Sequence, residues 1–122
     1  MKKKMLSRNF SRDELACPCC GRIGRYPKRL KYLLSCLERL TEIAGQKPVI
    51  TSCYRCPRHN AEVGGVPNSY HCQDMAVDLW IRGKTLNQIA RYARKAGFTG
   101  IGRYWGKGFV HCDTGPQRTW EE

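Results

Sequence analysis

Residues 69–81 read Ser69-Tyr70-His71-Cys72-Gln73-Asp74-Met75-Ala76-Val77-Asp78-Leu79-Trp80-Ile81. The second half, Met75 to Ile81, has the length and apolar character of a buried strand. Alternation along it puts Met75, Val77, Leu79 and Ile81 on one face and Ala76, Asp78 and Trp80 on the other. Asp78 is the exception in this run, because a carboxylate placed there is costly unless something pairs with it. A metal ion is one such partner, and imidazole with carboxylate is a usual ligand set for zinc. His71 stands seven residues before Asp78. Near the C-terminus, Val110-His111-Cys112-Asp113 repeats the pairing of histidine and carboxylate. On a strand His111 and Asp113 share one face, with Val110 and Cys112 on the other.

The segments around this stretch predict its scaffold. Upstream, Ser11 with Glu14 forms a capping-box pattern at the start of a short helix, with Phe10 placed as a staple. Cys17 to Tyr26 reads as a loop, marked by Pro18, Gly21 and Gly24. Pro27 opens a long helix on which Leu30, Leu33, Leu34, Leu37, Leu40 and Ala44 recur at helical spacing, and Gly45 stops it. Pro48 to Ser52 is a short strand. The polar stretch from Cys53 to Tyr70 is long enough for a small domain to suggest function, with one helical turn at Pro57 to Val63. Downstream, Thr85 to Ala96 is a second helix ended by Gly97, with Leu86, Ile89, Ala90 and Ala93 inward. Phe98 to Tyr104 and Phe109 to Asp113 are two more strands about the turn Gly106-Lys107-Gly108. The element order implies an α+β domain, a small antiparallel sheet with helices packed on one side. Residues 1–9 read as a flexible basic N-terminus, and residues 10–122 as one domain that carries the site.

The 122 residues suit one compact core. No run is long and apolar enough to cross a membrane. The basic start has no apolar stretch behind it, so it is not a secretory signal, and delivery to any site outside the cytoplasm needs another factor. Lys and Arg outnumber Asp and Glu by 22 to 10, for a net charge of +12. Such a surface favours polyanions, among them nucleic acid, anionic wall polymers and lipid headgroups. The chain carries eight cysteines. Cys17, Cys19, Cys20 and the pair Cys53 and Cys56 could together build a thiolate zinc site, or serve as small apolar residues.

His71, Asp78 and His111 supply the three protein ligands that a catalytic zinc site keeps beside one open position. Asp113 is the expected base, or the group that orients a ligand histidine; Asp74 and Glu62 are weaker candidates. Arg55, just after a strand, can hold a carboxylate or an oxyanion. Ser69 can bind substrate through its hydroxyl.

At these residues the sequence resembles the zinc D-Ala-D-Ala carboxypeptidase family, whose relatives include murein endopeptidases, phage endolysins and the hedgehog signalling domain. The pattern Ser-x-His, two residues, Gly, x-Ala-x-Asp stands here as Ser69, His71, Asp74 in place of the glycine, Ala76 and Asp78. Ser52-Cys53-Tyr54-Arg55, the run Cys56 to Asn60 and the block Val63 to Ser69 resemble the small-peptidase branch. So do Gly100 to Tyr104, Phe109 to Gly115, Arg118 and Trp120. The resemblance implies the hedgehog-like fold, with His71, Asp78 and His111 as zinc ligands. It places Arg55 on the substrate or transition state and Ser69 in the substrate groove. It also implies cleavage of peptide bonds in peptidoglycan stem peptides, by a monomer without nucleic acid as partner. The position where many relatives carry an acidic base, three before the last histidine, is Gly108. That leaves a non-catalytic zinc or wall-binding module as one alternative and a basic nucleic-acid-binding zinc module as another. With no wall-binding module visible, the charge itself is expected to hold wall polymers. Localisation stays open between a phage-type lysis protein and an enzyme that recycles wall peptides.

Overall fold

The computed structural model describes residues 4–122, so residues 1–3 of the expected basic segment lie outside the described residues. The long helix forms as its spacing dictates. It spans Pro27–Ala44 (α2, after the short α1 at Arg12–Leu15) and ends at Gly45 in the left-handed region. Its Leu30, Leu33, Leu34, Leu37 and Leu40 are buried, joined by Cys36. Phe10, just before the first helix, and Leu15, at its end, enter the same core, with the Glu14 carboxylate accepting the Ser11 backbone N–H at 3.0 Å. Just upstream, the Glu38 carboxylate on α2 accepts the Asn9 backbone N–H at 2.8 Å.

Five strands make the sheet: β1 Val49–Ser52, β2 Ala76–Trp80, β3 Gly100–Tyr104, β4 Phe109–Asp113 and β5 Arg118–Glu121. Their spatial order is β1-β2-β4-β3-β5. The first three pairings are antiparallel, but β5 runs parallel to β3. The α+β class therefore stands, while the sheet is mixed rather than wholly antiparallel. The fifth strand was hidden in the tail because it is a four-residue edge strand without an apolar run, entered through Gly115-Pro116.

Alternation sorts the sheet as the sequence predicts. Val77, Leu79, Ile101, Val110 and Cys112 face the core, against α2 and the helix α4 at Leu86–Ala96. Thr85 caps α4 by accepting the Gln88 N–H at 3.1 Å. Arg39 ties the two helices together through the Ala96 carbonyl at 2.8 Å. The opposite face carries Asp78, His111 and Asp113. Beside it lie the short helix α3 at Pro57–Glu62 and a 3-10 turn at Tyr70–Gln73.

Leu37→Ala should cost about 2–5 kcal/mol, because the fully buried side chain leaves a cavity between α2 and the sheet. Lys31→Ala, on the exposed side of the same helix, should stay within about 0.5 kcal/mol. Urea unfolding of both variants checks the pair.

Candidate metal centre and groove

Three elements converge on one point. The antiparallel register sets Asp78 of β2 directly opposite His111 of β4. The 3-10 turn before β2 swings His71 over the same face, and its ring Nδ1–H donates to the Cys53 carbonyl at 2.8 Å. That bond leaves His71 Nε2 aimed at Asp78, 3.3 Å from Oδ1. His111 Nδ1 lies 2.9 Å from the same oxygen. One ligand atom from each of His71, Asp78 and His111 falls within 4.8 Å of the others.

The pairing answers the cost of burying Asp78. Burial alone opposes ionisation, but hydrogen bonds from His111 and His71 hold its carboxyl well below the usual range. Burial likewise opposes the charged form of His111, yet the bonds to Asp113 and Asp78 raise its pKa. The donor set of two imidazoles and one carboxylate, each imidazole fixed through its other nitrogen, fits a divalent metal such as zinc.

Asp113 sits behind His111 and has no exposed surface. Its Oδ2 is 2.7 Å from His111 Nε2 and 2.8 Å from an Arg118 nitrogen. Its Oδ1 accepts from the other Arg118 nitrogen and from the Gly115 N–H, each at 3.0 Å. Burial opposes its ionisation, but His111, Arg118 and the Gly115 N–H bring its pKa down to about 2. Of the two tasks expected for Asp113, this enclosure suits orienting the histidine, since no lone pair faces the groove.

Two glycines make room for that arrangement. Gly100 and Gly102 of β3 sit opposite Asp113 and His111 on one side, and opposite Arg118 and Trp120 on the other. A Cβ at Gly100 would overlap Asp113 and Arg118, and one at Gly102 would overlap the Trp120 indole. Side chains of β4 and β5 thus meet across a strand that offers none. Trp120 lies 5.3 Å from the His111 ring, centre to centre.

In front of these three side chains opens a cavity of about 620 Å³, lined among others by Arg55, Ser69, Tyr104, Lys107, Trp120 and Glu122. A second cavity of about 530 Å³, past Ser52, Trp80 and Phe109, shares Arg55 and Asp78 with it. Together they form a groove crossing the centre. Arg55 donates to Asp78 Oδ2 at 3.2 Å and to Ser52 Oγ at 3.1 Å. Ser69 donates to Asn60 Oδ1 at 3.1 Å.

Asn60, absent from the expected site, is the buried hub of this wall. It accepts from Arg55 and Ser69 and donates to the Val66 carbonyl at 2.7 Å. Its signal was its place in the run Cys56 to Asn60, which gives no hint of burial. Tyr104 and Glu122 also reach the groove unpredicted. Burial raises the Tyr104 pKa, and the charge of Glu122 adds to the rise against the Trp120 hydrogen bond. Glu62 pairs with Arg58 on α3, away from the centre. Asp74 is buried with Oδ2 accepting the Tyr26 N–H at 2.6 Å.

Residues 8–113 match the family described as Peptidase M15. The chain belongs to the peptidase M15 family. Among its relatives is a protein of Escherichia coli K12 named peptidoglycan L,D-endopeptidase MepK. It is 38% identical over 91 residues, which is 69% of this chain and 50% of that protein. The Haemophilus influenzae protein named probable peptidoglycan L,D-endopeptidase MepK is 38% identical over 64 residues, 52% of this chain and 34% of its own. The chain thus spans about half the length of the E. coli relative.

Both departures of this peptidase M15 chain from the expected pattern have backbone explanations. Asp74 stands in the glycine's place at φ 56°, ψ 31°, a left-handed conformation that aspartate tolerates better than most residues. Gly108 has φ +75° and donates to the Tyr104 carbonyl at 2.8 Å, closing the turn between β3 and β4.

The Asp113 pKa of about 2 lies below its ordinary value of 3.8. The carboxylate therefore stabilises the fold above that ordinary value, and the contribution is lost as pH falls through the lower one. Arg118→Met should raise the Asp113 pKa, shift acid unfolding to higher pH and cost about 1–3 kcal/mol at neutral pH. Carboxyl titration by NMR with urea melts at both pH extremes checks this.

Proposed function

We propose that this chain is a zinc-dependent peptidase hydrolysing a peptide bond in peptidoglycan stem peptides. The L,D-endopeptidase activity in the name of its E. coli and H. influenzae relatives is the bond type proposed for it. One observation carries the reading: His71, Asp78 and His111 present their donor atoms to one point on the floor of an open groove. Zinc held there would polarise the scissile carbonyl and lower the pKa of a water molecule.

The chain's own residues take the remaining tasks. Asp113 holds the His111 ring so that Nδ1 faces the centre. Arg55 stands where an oxyanion or a peptide carboxylate would lie, fixed by Ser52 and Asn60. Ser69 offers a hydroxyl to the peptide backbone. Glu122 and the Tyr104 hydroxyl are among the groups lining the groove that can take up or return a proton.

The alternative of a non-catalytic zinc or wall-binding module draws on one feature, the glycine turn at Gly108, which places no carboxylate in front of His111. Elemental analysis and digestion of purified peptidoglycan decide between the two readings. The wild type should bind zinc and release peptides. His71→Ala should release no peptide and lose the zinc of this centre, and Glu122→Gln should keep that zinc while its rate falls on the order of 100-fold. Zinc-loaded, folded wild type that releases no peptide overturns the peptidase reading.

The +12 charge further supports contact with anionic wall polymers. Retention on purified walls should fall steeply as salt is raised toward physiological strength and beyond. Sedimentation with walls over a salt series measures it, and salt-independent retention removes charge as the anchor.

A further inference from the structure

Four of the eight thiols are accounted for by packing. Cys36, Cys53 and Cys112 lie in the apolar core, and Cys72 is buried within the 3-10 turn. The other four gather at one place. Cys17, Cys19 and Cys20 sit on the loop after α1, and Cys56 stands at the start of α3. Their sulfurs all fall within 4.8 Å of one another. Cys19 Sγ lies 3.6 Å from Cys17 Sγ and 3.2 Å from Cys56 Sγ. Four sulfurs at a zinc–sulfur distance of about 2.3 Å on a tetrahedron stand about 3.8 Å apart. The cluster is within a small relaxation of that figure. Of the pair Cys53 and Cys56, only the second joins, because Cys53 is turned into the core.

The backbone is shaped for thiolates as well. The Cys56 N–H donates to Cys17 Sγ, and the His59 N–H donates to Cys56 Sγ, each at 3.4 Å. A tight turn folds the chain between Cys17 and Arg22, with the Gly21 N–H on the Cys17 carbonyl at 2.8 Å and the Cys17 N–H on the Arg22 carbonyl at 2.9 Å. Four thiolates around a divalent ion leave two negative charges. Arg12, Arg22 and Arg25 line the hollow beside Cys56, and Arg12 also bonds the Gly21 carbonyl at 2.7 Å. Two of the thiols, Cys19 and Cys20, are exposed. Packing explains neither.

We propose that Cys17, Cys19, Cys20 and Cys56 hold a structural zinc ion as a tetrathiolate, separate from the His71, Asp78 and His111 centre. It ties the loop before α2 to the start of α3, one residue beyond Arg55. The groove wall is thereby clamped from outside. The sulfur-only tetrahedral set selects zinc over the hard cations, which prefer oxygen. The site stands on its own residues and does not depend on the peptidase reading.

The test uses the purified, zinc-loaded full chain. Iodoacetamide labelling mapped by peptide mass spectrometry should modify Cys19 and Cys20 about tenfold or more slowly before chelator than after it. Fully exposed free thiols would react alike in both conditions, which overturns the proposal. So does a disulfide between any two of the four. His71→Ala/His111→Ala should still hold about one zinc per chain and, with cobalt in its place, show thiolate-to-cobalt charge-transfer absorption. Cys19→Ser/Cys20→Ser should lose that absorption. Cobalt bound to the histidine variant without it rejects thiolate ligation.

Discussion

A carboxylate held under an apolar sheet is the constraint around which this molecule is built. Asp78 has neighbours on both sides of β2 that exist to satisfy it: two imidazoles and a guanidinium, from three different segments. An unpaired buried charge costs several kcal/mol even after relaxation. The 3-10 turn, the pairing of β2 with β4 and the loop after β1 must therefore assemble together or not at all. The site is a condition of this fold rather than an addition to it.

The layers behind the centre extend the same logic. Asp113 fixes His111, Arg118 fixes Asp113, and two glycines on the intervening strand let that chain of contacts pass. Each member carries a charge or a bond that the next one needs. On the groove side, Asn60 does for Arg55 and Ser69 what Asp113 does for His111. A neutral amide suits that place because it can accept from the guanidinium and the hydroxyl while donating to a carbonyl.

Much of this was legible in the residues. Periodicity gave the two long helices and the sidedness of β2 and β4, since burial of one face leaves little freedom in the pattern. Asp78 and His111 stood out because they interrupt apolar strands, and His71 because it stands seven residues before Asp78. What escaped was whatever rests on long-range contact. The edge strand β5 has no apolar alternation to announce it, and its parallel direction follows from where the tail returns. The burial of Asn60 and the depth of Asp113 come from neighbours far away in sequence. Cysteine spacing gave a suspicion only. The meeting of Cys56 with the Cys17 loop bridges 39 residues, a closure that no local motif encodes.

The strict two-faced sheet also acts as a reading frame. Val110 and Cys112 point to the core while His111 and Asp113 point to the centre, so a slip of one residue against β2 would put charge into oil and methyl groups into the groove. A slip of two would restore the sidedness but carry His111 past Asp78. Only one alignment satisfies both layers at once. The irregularity the sheet does tolerate, between Ile50 and Ser52, falls on the edge strand β1, where a shifted frame displaces neither imidazole.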